Sequence, residues 1–342
     1  MPRALYFTAP YQVSVHEEPL PLPAAGQVLV ATLVSAISPG TELLIYRGQA
    51  PTDIPIDETI PALAGEFGFP LKYGYAAVGR VIATGSAVEP HWHGRLVFAF
   101  HPHESHFLAA PANLLPLPST LSPEEAVFLP NMETAVNFLM DGQPLIGEQV
   151  VVFGQGVVGL LTTALLARFP LARLITLDRY PLRRERSRAL GAHASLDPEG
   201  SDPLTRVHAY LQEGHSAVGA DLTYELSGDP GALDQAIAVT GFSGRVVIGS
   251  WYGQKRVQLN LGGRFHRSRM RLISSQVSTI ASEWAGRWTK SRRLQVAWHM
   301  LQEVPPAPLI THRIPIAQAQ QAYALLDQHP EQAVQVLLTY EG

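Results

Sequence analysis

The 342-residue chain reads as an α/β protein: a doubly wound parallel sheet joined to a second, β-rich part. Three observations predict this. From about residue 123, short apolar runs alternate with helical segments, the pattern of parallel strands joined by crossover helices. One such run, Val150-Val151-Val152-Phe153, breaks into Gly154-Gln155-Gly156-Val157-Val158-Gly159 and resumes as the helical Leu160-Leu161-Thr162-Thr163-Ala164-Leu165-Leu166-Ala167. Before residue 120, by contrast, strand-like runs are separated by Pro and Gly at spacings of roughly 8–12 residues.

Each element follows from local pattern. Gln27-Val28-Leu29-Val30-Ala31-Thr32-Leu33-Val34 and Gly79-Arg80-Val81-Ile82-Ala83-Thr84-Gly85 read as strands of the β-rich part. Residues 48–70 hold many Pro, Asp and Gly and predict a long loop, a lid or a partner contact. Ser122-Pro123-Glu124-Glu125-Ala126 is a capped helix start with Pro in the first turn. Strands are then expected at 149–153, 173–177, 220–224, 244–249 and 271–275, with helices such as 181–190 and 230–239 between them. Residues 280–342 return to helix and strand without a new fingerprint. The expected division is 1–125 with 279–342 for the β-rich domain, and 126–278 for the doubly wound one.

The glycine turn carries the chemistry. A buried strand stops at Phe153 and a helix begins after Gly156. Gly154 permits the tight turn, Gly156 lets a pyrophosphate approach the backbone, and Gly159 lets helix and strand pack closely. The free N–H groups and partial positive charge of the helix N-terminus suit phosphate. Asp178 stands 19 residues after Gly159, closing the run Leu174-Ile175-Thr176-Leu177, where a carboxylate meets adenosine ribose hydroxyls. The segment therefore predicts a dinucleotide site that includes Gln155, Val157 and Val158. Asp178 favours NAD, since a carboxylate repels a 2′-phosphate; Arg179, Arg183 and Arg184 keep NADP open. Ser227 and Gly228 are expected beside the adenosine or its ribose, and Ser250 and Trp251 beside the nicotinamide half, because ligands lie outside the carboxyl ends of strands.

Composition excludes other classes. Hydrophobic residues make up 46% and charged residues 16%, a globular balance. The net charge is −4 with no long basic block, so nucleic acid is not an expected partner; Arg183, Arg184, Arg186 and Arg188 read as a solvated helix face. There is no cysteine, which excludes disulfides and thiolate zinc sites. No signal-peptide layout or transmembrane-length run is present, so a cytoplasmic location without a membrane partner is expected.

Across nearly its whole length the layout resembles the medium-chain dehydrogenase/reductase superfamily, relatives of the zinc alcohol dehydrogenases. Besides the fingerprint, three motifs carry the resemblance: Ser35-Ala36-Ile37-Ser38-Pro39-Gly40-Thr41-Glu42, Tyr73-Gly74-Tyr75-Ala76-Ala77-Val78-Gly79-Arg80-Val81, and Leu226-Ser227-Gly228 followed by Gly244-Arg245-Val246-Val247. The resemblance implies a Rossmann domain plus a GroES-like catalytic domain, an NAD(P) cofactor, a small-molecule substrate between the domains, and a homodimer or homotetramer. It also implies departures. Where zinc enzymes place a cysteine this chain has Pro39; where they place histidine and glutamate it has Tyr75 and Ala76; the third ligand falls near Leu129-Pro130-Asn131. Three protein donors are needed for a catalytic zinc, so no zinc is expected.

Thr41 matches the family's proton-relaying hydroxyl. Tyr75 is either a general acid or oxyanion donor or a space-filling phenol, and Glu42 is either a further catalytic candidate or a group that orients local backbone. The stretch Pro130-Asn131-Met132-Glu133-Thr134-Ala135, which adds Thr134 to the cofactor set, is similar to a zinc-less branch that includes bacteriochlorophyllide hydroxyethyl dehydrogenase. So is Arg264-Phe265-His266-Arg267, whose charges are read either as a carboxylate clamp or as ordinary surface charge or a subunit contact. The run His101-Pro102-His103-Glu104-Ser105-His106 is read as solvent- or cleft-lining histidines, with metal binding as the minor alternative. The expected activity is zinc-independent hydride exchange between a nicotinamide and a secondary alcohol or ketone on a bulky or anionic substrate. The alternatives are an enoyl or quinone reductase of the same fold and a non-catalytic NAD(P)-binding sensor or partner protein.

Overall fold

Alternating apolar and turn-forming residues first build a hairpin, β1 (Arg3–Ala9) with antiparallel β2 (Gln12–Glu17), in the computed structural model of the chain. The structure describes residues 1–51, 53, 60–63, 65, 67–213 and 218–340. Much of the expected 48–70 loop lies outside the described residues. There follow β3 (Val28–Ala36), α1 (Pro39–Tyr46), β4 (Ala77–Thr84), β5 (Leu96–Ala99), β6 (His106–Ala109), β7 (Leu114–Pro116), α2 (Pro123–Ala126) and α3 (Leu129–Gly142). The doubly wound part comprises β8 (Gln149–Phe153), α4 (Val157–Leu166), β9 (Arg173–Leu177), α5 (Pro181–Ala189), β10 (Ala194–Leu196), α6 (Pro203–Gln212), β11 (Ala220–Glu225), α7 (Pro230–Val239), β12 (Thr240–Ile248), β13 (Arg271–Ser274) and α8 (Lys290–Glu303). The chain closes with β14 (Ile310–Pro315), α9 (Ala319–Gln328) and β15 (Gln335–Thr339).

Two compact units result: 1–130 with 301–342, and 131–300. In the first, the sheet runs β14-β15-β3-β4-β5-β7, and β6 also pairs with β3. Its core is lined by Val28, Val30, Ala77, Val81, Val97, Phe107 and Leu114. The expected helix start at Ser122 is a full capping box: the Ser122 hydroxyl accepts from the Glu125 amide while the Glu125 side chain accepts from the Ser122 amide.

In the second unit the sheet order is β10-β9-β8-β11-β12-β13, with every pairing parallel. All five residues of β8 are buried, as a strand covered on both faces requires. The three-residue β10 has no counterpart among the expected strands; it is too short to show a period of two. β12 begins at Thr240, earlier than expected, and β11 runs one residue further, to Glu225.

The return to the first unit comes at 301, later than the expected 279. A buried network accounts for it. The fully buried Arg293 guanidinium on α8 donates to Glu133 Oε1 on α3 at 3.0 Å, to the Thr279 carbonyl at 3.0 Å and to the Asn137 carbonyl oxygen. Asn137 and Ser275 in turn donate to Asp141 at 2.9 and 2.5 Å. Residues 279–300 thus complete the polar satisfaction of the second unit.

Candidate functional site

The glycine turn stands at the end of β8. Gly154 has φ +88, the left-handed region that suits glycine, and a Cβ there would lie 2.5 Å from Ser227 Cα. The turn is thereby pressed onto the chain leaving β11. A Cβ on Gly159 would lie 2.0 Å from the Gly154 carbonyl oxygen, so strand and helix meet at van der Waals limit. Gly156, the N-cap of α4, is open: the nearest heavy atom to a Cβ there is Arg183 Nη1 at 4.0 Å. A bare helix N-terminus beside a guanidinium is a fit for a diphosphate.

Gln155 and Val157 are buried and turn their side chains inward. The Gln155 side chain donates to the Gly154 carbonyl at 2.9 Å and accepts from the Thr163 hydroxyl at 2.9 Å. What these residues offer a phosphate is backbone. Val158 also packs against the apolar cluster around Val150 and Val152.

Asp178 is nearly buried and braces the turn. Its Oδ2 accepts from the Gln155 amide at 2.7 Å and its Oδ1 from the Tyr180 amide at 2.9 Å. Each oxygen keeps a lone pair for a ribose hydroxyl. Arg179 is tied to Asp229 at 2.6 Å and Glu199 at 3.2 Å, and Arg184 to Asp197 at 3.0 Å. Arg183 lies over the Tyr180 ring at 4.8 Å.

On the other half of the sheet, the Gly228 amide donates to Ser250 Oγ at 2.9 Å, which joins the turn after β11 to the loop after β12. Beneath that junction lies Glu225, fully buried, accepting from the Ser227 amide at 2.8 Å and from the Ser227 and Tyr252 hydroxyls. Sequence reasoning missed Glu225, although an acid closing an apolar strand is the same signal that singled out Asp178. Trp251 and Thr134 are half-buried, Thr134 on α3.

Thr41 and Tyr75 belong to the first unit, and there they meet. Pro39 starts α1, Thr41 sits in its first turn, and the Tyr75 hydroxyl donates to Thr41 Oγ1 at 3.4 Å. Glu42, the further candidate, is enclosed apart from this pair, and its bond to the Ser38 amide matches its other reading as a group that orients local backbone. It has no exposed surface; its Oε1 accepts from the Ser38 amide at 2.7 Å, and its Oε2 accepts from the Tyr323 hydroxyl at 2.5 Å and faces His103 Nε2 at 3.0 Å. A carboxylate enclosed by donors braces the fold and is unavailable to substrate.

The histidine run is split among different partners. His103 is buried against Glu42 and Ser35, His101 stacks on Phe107 with centroids 4.0 Å apart, and His106 meets the Ser105 hydroxyl at 3.0 Å. His103 is therefore not the solvent- or cleft-lining residue expected. Among the described residues no group of three His, Cys, Asp or Glu is arranged to hold a metal ion. The positions matching the family's zinc ligands carry no donor set for zinc: Pro39 and Ala76 have no side-chain donor, and the Tyr75 hydroxyl faces Thr41. Arg264 does not form a carboxylate clamp; it donates to the carbonyls of Thr240 and Val218. No helix among the described residues is long and apolar enough to cross a membrane.

Comparison with known proteins agrees with this architecture. A family model described as zinc-binding dehydrogenase matches residues 157–291, which excludes positions 39, 75, 76 and 130. The chain is 26% identical over 335 residues to a D-guloside 3-dehydrogenase of Escherichia coli K12, covering 92% of this chain and 93% of that protein. It is 28% identical over 236 residues to a Bacillus subtilis (R,R)-butanediol dehydrogenase, covering 61% and 66%. Among solved structures, an Escherichia coli CFT073 alcohol dehydrogenase complexed with NADH superposes with a TM-score of 0.78 at 20% identity over 99% of both chains. The Bacillus subtilis 2R,3R-butanediol dehydrogenase superposes at 0.79 and 19% identity over 99% of both.

Proposed function

Because the chain belongs to the medium-chain dehydrogenase/reductase superfamily and is an NAD(P)-dependent oxidoreductase of that type, we propose that it works without zinc on a secondary alcohol or its ketone. The observation that carries the cofactor assignment is the glycine turn. Its Cβ-free cradle at Gly156 and the Asp178 carboxylate behind it fit a diphosphate and a ribose diol. Asp178 favours NAD over NADP, since a 2′-phosphate would face its charge. The bound nicotinamide supplies hydride exchange with a substrate carbon.

The chain's own residues supply position and proton handling. Gly156 and the amides after it hold phosphate, and Asp178 orients the ribose. In the first unit, the Tyr75 and Thr41 hydroxyls form the donor pair that holds a proton against a substrate oxygen, in place of a metal. Sugar and diol dehydrogenases among the relatives support a secondary-alcohol substrate. The missing zinc donor set favours one rival, an enoyl or quinone reductase, because reduction of an activated C=C needs no metal-bound alkoxide. A homodimer or homotetramer belongs to the same proposal, with the edge strand β13 as the exposed ladder.

Fluorescence titration with NADH and NADPH tests the reading. Saturable binding, tighter for NADH, is expected, followed by turnover on a panel of secondary alcohols. Turnover confined to enones or quinones would transfer the assignment to the rival. Binding of neither dinucleotide would remove the oxidoreductase reading.

A further inference from the structure

The strand order of the second unit reverses between β8 and β11: β9 and β10 lie to one side, β12 and β13 to the other. Dinucleotides cross the carboxyl ends of the strands at such a point. Each side ends a strand near a buried carboxylate. On the β8–β9 side Asp178 accepts the Gln155 and Tyr180 amides. On the β11–β12 side the carboxylate is Glu225, the last residue of β11.

We propose that Glu225 is a positioning residue for the nicotinamide half of the dinucleotide, an inference that rests on the oxidoreductase reading. Three donors and no acceptor converge on its two oxygens: the Ser227 amide and hydroxyl on Oε1 and the Tyr252 hydroxyl on Oε2. An ionised carboxylate satisfies all three, whereas a carboxamide turns an N–H₂ toward a donor. Burial and the Glu225 charge push the Tyr252 phenol far above its ordinary range, so it remains a donor at every working pH. Around this centre the two loops are stitched together. The Gly228 amide donates to Ser250 Oγ at 2.9 Å, Ser250 donates to the Glu225 carbonyl at 3.4 Å, and Lys255 Nζ donates to the Gly228 carbonyl at 2.7 Å. The Tyr252 hydroxyl ties the loop after β12 to the carboxylate at the end of β11, and the bonds to backbone groups hold the two loops together beside it. The glycine turn touches the chain leaving β11 at Ser227, but its own brace is Asp178, which accepts the Gln155 and Tyr180 amides on the other side.

That asymmetry makes the inference separable from general loss of structure. NADH and ADP-ribose, which lacks the nicotinamide, are titrated against the wild type and Glu225→Gln, by fluorescence and calorimetry, with melting curves on the same samples. In Glu225→Gln the NADH Kd rises about tenfold, while the ADP-ribose Kd changes less than about threefold. Equal losses for both probes, or no loss for either, overturn the proposal. Should Glu225→Gln not fold, Tyr252→Phe leaves the carboxylate in place and removes one donor. It is expected to weaken NADH about threefold and leave ADP-ribose unchanged; unaltered NADH binding there also overturns the proposal. Failure of the parent reading shows separately, as absence of NADH and NADPH binding by the wild type, and takes this inference with it.

Discussion

The Glu42 carboxylate lies 3.0 Å from Nε2 of His103, and neither side chain reaches solvent. The pair joins the two segments that carry the candidate proton-handling hydroxyls. Glu42 follows Thr41 on α1 and accepts the Ser38 amide that opens the helix. His103 donates its amide to the Tyr73 carbonyl at 3.3 Å, and its ring lies where a Cβ on Gly74 would stand 2.7 Å away, one residue before Tyr75. The far side of the ring continues to Ser35 Oγ at 2.7 Å and on to the Tyr340 hydroxyl at 2.7 Å.

Glu42→Gln therefore acts first on stability. The Ser38 amide, His103 and Tyr323 converge on the carboxylate, and an amide group leaves one of them facing a donor. Leaving a buried donor without its acceptor costs about 1–3 kcal/mol. Urea unfolding with an unchanged m-value and a midpoint lowered accordingly is the expected result. A shift under about 1 kcal/mol would return Glu42 to the list of groups free to do chemistry.

Tyr75→Phe and Thr41→Val each remove one hydroxyl of the pair. Turnover on an accepted secondary alcohol falls by about 100-fold, the usual scale for a lost proton-transfer group, while the NADH Kd stays at the wild-type value. Undiminished turnover in both variants means the pair fills space.

Gly156→Ala and Gly159→Ala separate cradle from scaffold. The first places a methyl in open space, so unfolding free energy changes by less than about 1 kcal/mol while NADH affinity drops tenfold or more. The second drives a methyl to 2.0 Å from the Gly154 carbonyl oxygen and destabilises the unit by about 2 kcal/mol or more. Intact NADH affinity in Gly156→Ala contradicts the phosphate assignment.

Acid should weaken the protein through His101. Burial, which outweighs its bond to the Pro102 carbonyl and is helped by the nearby Lys72 charge, lowers this imidazole from 6.5 to about 4. Between those values the unfolded chain binds a proton that the folded one refuses. Its stabilising contribution is complete above pH 6.5 and drains away as pH falls toward 4. His101→Gln flattens the pH dependence of unfolding free energy in that window by up to about one proton. An unchanged slope means that His101 protonates in the folded state as freely as in the unfolded.

Elemental analysis of the purified protein should find below about a tenth of a zinc per chain, because Pro39, Tyr75 and Ala76 make no tetrahedral donor set. Stoichiometric zinc contradicts this and demands ligands elsewhere.

The sequence alone determined what is written in neighbouring residues. The β8 run, the spacing of Gly154, Gly156 and Gly159, and Asp178 closing β9 are local, because a buried strand, a tight turn and a helix N-terminus each follow from a few consecutive side chains. The alternation of strands and helices after residue 123 was legible for the same reason, whereas the GroES-like part followed from the family resemblance of its motifs. Only the tertiary structure decided which polar side chains work as pairs. Glu42 meets His103 across 61 residues and Tyr323 across 281, and Arg293 meets Glu133 across 160. Glu225 closes β11 and Tyr252 lies in the loop after β12, 27 residues apart. Such partners have no period and no spacing rule. They are chosen because folding buries them together, and a buried charge without donors is too costly to keep.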